Sequence, residues 1–160
     1  MGGQPPNSTF RTVLALTLAH ARENGLQPLA VAVYDARGVL RAFEGEDGIS
    51  LGRPAIAFAK ATGALMMGMG SRGLAKLGRD APQFAHSLGH VLPGGLIPHL
   101  GGVLIRDGHG SLVGAVGISG DRGDADEAAA IAGIIAAGFQ ADPGTDLADR
   151  STTVSLQSDP

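Results

Sequence analysis

PGGLIPHLGGVLIRDGHGSLVGAVGISGDRGDADE, residues 93–127, holds the densest structural information in this chain. Val103–Arg106 and Leu112–Ile118 are short apolar runs on either side of Asp107-Gly108, which reads as two strands joined by a tight turn. Ser119-Gly120 then makes a corner into a helix. Asp121, Asp124, Asp126 and Glu127 gather before and within its first turn, where carboxylates complement the helix dipole by a few tenths to about 1 kcal/mol each. Glycines at 101, 102, 114 and 117 stand where side chains would otherwise be, so backbone or a ligand must approach closely there. They are not a dinucleotide fingerprint, because they do not lie between a parallel strand and its crossover helix. The G-x-S-G around Ser119 also lacks the spacing of a nucleophile elbow.

Upstream, Leu29–Tyr34 is a β-rich run, Asp35-Ala36-Arg37-Gly38 a turn and Val39–Phe43 a returning strand, a second hairpin. A helix capped by Ser8 or Thr9 precedes it, with Phe10, Val13, Leu14, Thr17, Leu18 and Ala21 on one stripe and Gly25 placed as a left-handed stop. Ser50 opens another helix to about Met69, with Pro54 tolerated in its first turn. Arg72–Lys76 reads as a short helix and Asp80–Pro93 as an irregular connection, with Gly95–Pro98 a further short strand. The last helix runs from about Asp124 to Phe139, with Ile131, Ile134, Ile135 and Gly138 at helical spacing. Hairpins pair antiparallel, so these readings predict an α+β domain in α-β-β-α-β-β-β-α order: a mainly antiparallel five-stranded sheet with helices packed on it. Residues 1–8 are expected to be a flexible lead, 9–141 the single layered domain and 142–160 a loose tail rich in Asp, Thr, Ser and Pro.

The 160 residues suit one domain, and a formal charge of −3 gives no basic field for nucleic acid or anionic membrane. The chain has no cysteine, which excludes disulfides and thiolate chemistry. It shows neither a membrane-length apolar run nor a secretory leader, so a cytoplasmic location is expected. With 26 glycines and only six aromatics (five Phe, one Tyr), the core must rely on small side chains and close backbone contact. That composition predicts a homo-oligomer.

Lys60 is the only charged residue between Pro54 and Ser71. A buried ammonium is costly unless paired, so Lys60 holds a carboxylate ligand, pairs with an acid such as Asp47 or Asp126, or snorkels to water. Four of the five histidines fall between His86 and His109. His86 and His90 share i, i+4 spacing, which on a helix would offer both imidazoles to a metal, although Gly89 and Pro93 speak for exposed loop histidines. His99, beside Gly101-Gly102, is placed to act as a base or to bind iron. His20 reads as core edge, His109 as a solvent-facing turn residue, and Met66, Met67 and Met69 as core filling.

The pieces LAVAVYDARGVLRAF, EDGIS, FAKATGAL and GGVLIRDGHGSLVGAVGISGDRGDADEAAA, in that order, resemble the GlcG/HbpS-like family, which includes the C-terminal domain of PduO-type proteins. Leu104 replaces the usual proline, Gly63-Ala64 departs from the K-A-x-T-A pattern, and residues 69–92 match loosely. The resemblance implies an oligomeric layered domain, some of whose relatives bind haem or corrinoids. On this reading the chain is a binding protein for haem, a corrinoid or a related hydrophobic carboxylate, with weak haem breakdown. Lys60, Asp47, Gly101, Gly102, Ser119 and His90 are then its ligand-binding candidates, and His99 and Lys60 its catalytic ones. The rival is a metal-independent isomerase, cyclase or lyase acting on a small organic acid, with a histidine base and Lys60 as anchor.

Overall fold

The computed structural model describes residues 3–144. Helix α1 (Asn7–Glu23) starts behind Pro6, ahead of the expected Ser8 or Thr9 cap, and buries Phe10, Val13, Thr17 and Ala21. Gly25 ends it in the left-handed region (φ +65°), where the Leu26 N–H donates to the Ala21 carbonyl at 3.0 Å. Strands β1 (Ala30–Asp35) and β2 (Leu40–Gly45) form the first hairpin. Three helices follow in succession, α2 (Arg53–Met67), α3 (Ser71–Asp80) and α4 (Pro82–Val91). Strands β3 (Gly102–Arg106) and β4 (Leu112–Ser119) make the second hairpin, and α5 (Gly123–Ala136) and β5 (Gln140–Asp142) close the domain.

The five strands form one antiparallel sheet in the order β2-β1-β4-β3-β5, as the two hairpins require. Its fifth strand is β5, paired to the outer edge of β3, and not residues 95–98, which run as an irregular loop. The α1 lead is shorter than expected, since the helix already includes Asn7 and Ser8. The tail expected from 142 lies, beyond residue 144, outside the described residues.

The alternation in β1, Ala30-Val31-Ala32-Val33-Tyr34, sorts the layers. Val31 and Val33 join Val103, Ile105, Val116 and Ile118 beneath α1 and α5. Ala30, Ala32 and Tyr34 face the other way, against Ala57, Ala61 and Ala64 of α2. One face is thus built from branched side chains and the other largely from alanine and glycine, with Tyr34 and Leu104, so α2 lies close to the sheet. Gly102 and Gly117 are cross-strand partners on that second face. A Cβ on either would overlap a carbonyl oxygen of α2, that of Lys60 or of Ala57 respectively.

Two side-chain expectations need correction. The buried face of α5 is Asp126, Ala129, Ala130, Gly133 and Ile134, while Ile135 is 59% exposed. The small residues face inward because α1 crosses there: a Cβ at Gly133 would strike Thr17. Met66 and Met69 are exposed and line no core, because the left-handed Gly68 ends α2 beside them. Among the described residues no helix is long and apolar enough to cross a membrane.

Candidate functional site

Two places gather chemistry. The first is a polar cluster where α2, the start of β3, the end of β4 and the start of α5 meet. Because α2 lies against glycine, the Lys60 side chain runs between helix and sheet, 3% exposed, and its Nζ donates to the Ile118 carbonyl at 2.8 Å. Asp126, 1% exposed, supplies the counter-charge at 3.5 Å and accepts the Asp121 N–H at 3.0 Å through its other oxygen. Burial pushes the Asp126 carboxyl up to about 6, against the opposing influence of the Lys60 ammonium. Burial also lowers the Lys60 amine, with the Asp126 charge resisting. Gly101 is indispensable to this geometry: its φ is +120°, and a Cβ there would come 2.9 Å from Lys60 Nζ.

Ser119 stands next to Ile118, and its hydroxyl accepts from Arg53 Nη1 at 3.2 Å. Ser71 Oγ accepts the Gly102 N–H at 2.7 Å. Arg72 is ion-paired with the largely buried Glu127, one residue after Asp126. The structure therefore brings Lys60, Gly101, Gly102 and Ser119 together, with Asp126 as the lysine's acid. Asp47 is elsewhere, exposed on the loop after β2 in a shallow depression with Arg22 and Pro28. His99 is exposed at the rim of the cluster, against the first residue of α5: a Cβ on Gly123 would come 2.7 Å from its Nε2. Arg53, Ser71, Arg72 and Glu127 are additions to the residues expected from sequence. Only Glu127, an acid beside a run of alanines, carried a signal of its own.

The second place is a cleft of about 420 Å³ between α3, α4 and the loop before β3. Segment 80–93, expected to be irregular, contains the ten-residue helix α4, entered through Pro82 in its first turn and tolerating Gly89. His86 and His90 therefore do share one helical face. Their Nε2 atoms are 3.3 Å apart, and both line the cleft with Gly89, Gly94, Gly95, Leu96 and Ile97. Cβ positions on Gly89, Gly94 and Gly95 would meet nothing nearer than 3.7 Å, so these glycines leave the walls thin. Lys60, Gly101 and Ser119 line none of the four described depressions.

The donor set of the cleft fits haem. Imidazole nitrogen is an axial ligand for haem iron, and Pro82, Leu96, Ile97 and Pro98 offer apolar walls to a macrocycle. The buried cluster does not fit it, because its lysine and carboxylate already satisfy each other away from solvent.

A family model described as "Haem degrading protein HbpS-like" matches residues 6–135. Among solved structures, the chain is similar to HbpS (24% identity, TM-score 0.73), over 86% of this chain and 93% of that one. It is also similar to the protein of the PduOC:heme complex (22% identity, TM-score 0.75), over 86% and 97%. A third likeness is to the Klebsiella pneumoniae protein ORFY (18% identity, TM-score 0.71), over 86% and 93%. Comparison with curated proteins gives no match.

Proposed function

This chain belongs to the haem-degrading, HbpS-like family, and from that premise we propose that it is a haem-binding module whose ligand sits in the α3–α4 cleft. The observation that carries the reading is the pair of imidazole nitrogens in the wall of an apolar, glycine-thinned cleft. His90 or His86 would hold the iron, and Leu96 and Ile97 would supply apolar contact. Haem, when bound, supplies a redox-active iron. The chain's own contribution would be to hold and orient the group in an open, largely apolar cleft. A corrinoid, another flat tetrapyrrole-like metal complex, is the companion ligand class.

In this proposal Lys60 holds the scaffold and is not the anchor of a ligand carboxylate. That assignment leaves less support for a metal-independent enzyme, since the amine is committed to Asp126 and Ile118 and does not stand free to anchor an organic acid. The exposed apolar side chains Leu51, Phe84 and Val91 support a homo-oligomer. Size-exclusion chromatography with light scattering is expected to return a dimer or larger species, and a monomer at all concentrations would count against it.

Haemin titration tests the ligand. The wild type is expected to give a saturable, sharp Soret band that broadens or is lost in His86→Ala or His90→Ala and persists in His109→Ala. Loss confined to His99→Ala would move the ligand to the rim of the polar cluster. A broad, non-saturating spectrum with wild type would remove the haem reading altogether.

A further inference from the structure

We infer that His86 and His90 chelate a bare divalent transition ion of the zinc, nickel or copper type on the exposed face of α4. This goes beyond the haem reading and does not rest on it, because it needs two imidazole nitrogens and no macrocycle. The separation of the two Nε2 atoms is 3.3 Å. Two metal–nitrogen bonds of about 2.0–2.1 Å meeting at a tetrahedral angle hold their nitrogens about 3.3–3.4 Å apart. The pair thus already has the spacing of neighbouring ligands on one ion.

Ring orientation agrees. The centroids are 4.9 Å apart, farther than the nitrogens, and the ring planes stand at 80°. The rings therefore approach one another through their Nε2 edges, which puts both ligand atoms side by side at the contact. The i, i+4 spacing alone would not have produced this without the regular helix from Pro82 to Val91. Both side chains are exposed at the cleft mouth, so an ion can reach them without any rearrangement.

Among the described residues no third His, Cys, Asp or Glu stands with the pair to make a fuller metal site. The remaining coordination positions fall to water, which makes this an open, exchangeable site and not a closed structural one. Ligation would also order the helix, since α4 buries only Ala85 and carries Gly89 between the two ligands. The same nitrogens could instead share a hydrogen bond, one Nε2–H donating to the other ring. Ion binding requires both Nε2 lone pairs to be free, with the ring protons on Nδ1.

The test is a zinc titration of the untagged full chain in competition with a chromogenic chelator, with no haem present. One zinc per chain is expected, with affinity falling by about 10–100-fold in His86→Ala and in His90→Ala and unchanged in His109→Ala. Zinc should also slow amide hydrogen exchange across 82–91 in the wild type and in neither pair variant. Equal zinc affinity in the wild type and both pair variants, or no zinc binding by the wild type, overturns the inference. Because the readout is zinc alone, a failed haemin titration leaves it standing, and a failed zinc titration leaves the haem reading standing.

Discussion

Replacing Asp126 with alanine is expected to destabilise the domain by about 3–5 kcal/mol, because it leaves the Lys60 ammonium buried with only a carbonyl for company. The double variant Lys60→Met/Asp126→Leu removes both charges and keeps the volume, so it should recover most of that loss. Urea unfolding of the two variants and the wild type measures the difference directly. Titration of Asp126 gives the pair a pH signature. Its folded carboxyl sits at about 6, whereas an unfolded aspartate lies near 3.9. Between those values the folded chain keeps a proton that the unfolded chain has lost, so this group makes stability fall as pH rises through the window. The wild type minus Asp126→Asn difference in unfolding free energy should decline between about pH 4 and 6, by at most about 3 kcal/mol, and be flat above it. A difference that does not change with pH would mean that the carboxyl is not held in the protonated form. The double variant also separates scaffold from ligand contact: if it folds and its haemin affinity is unchanged, Lys60 touches no ligand.

The parts of this fold legible in the sequence are those where one short segment carries its own constraint. Alternation of Val and Ala in β1 determines which face meets which helices. Asp107-Gly108 and Asp35–Gly38 each force an antiparallel return, and those two hairpins build four of the five strands. The isolation of Lys60 among apolar residues marks it as a group that needs a partner or a path to water, and two acids stand open as its partner. Only the fold could choose Asp126, 66 residues away, over Asp47. Strand β5 was illegible because three residues have no periodicity; it exists because the edge of β3 offers backbone partners. Helix α4 was obscured by Gly89 and Pro93, whose local preferences lose to a Pro82 start and to packing beside α3. The Arg53–Ser119 and Ser71–Gly102 bonds join residues 66 and 31 positions apart, which no spacing rule addresses. The candidate cleft was hidden for the same reason as α4, since its two histidines converge only once the helix is there.

Gly117→Ala should be among the most damaging single substitutions available, at about 3 kcal/mol or more, although it adds one methyl group. That methyl would overlap the Ala57 carbonyl oxygen and lie 2.8 Å from the Ala61 nitrogen and 2.9 Å from its Cβ. Two of those three atoms are backbone, and no rotamer change can move them aside, so α2 itself must lift from the sheet. Lifting α2 would carry Lys60 away from the Ile118 carbonyl and from Asp126, and would open the contact over Gly102 as well. The cost therefore includes the buried ion pair and the alanine layer, which is why it should exceed ordinary overpacking. Gly108→Ala is the control: it sits in the exposed β3–β4 turn with nothing within 4 Å of its added Cβ, and it should stay within about 0.5 kcal/mol of wild type. Thermal and urea unfolding of the two variants decide the matter. Equal stability would mean that α2 rides farther from β4 than these distances require, and the account of Lys60 as a buried scaffold group would lose its geometric basis.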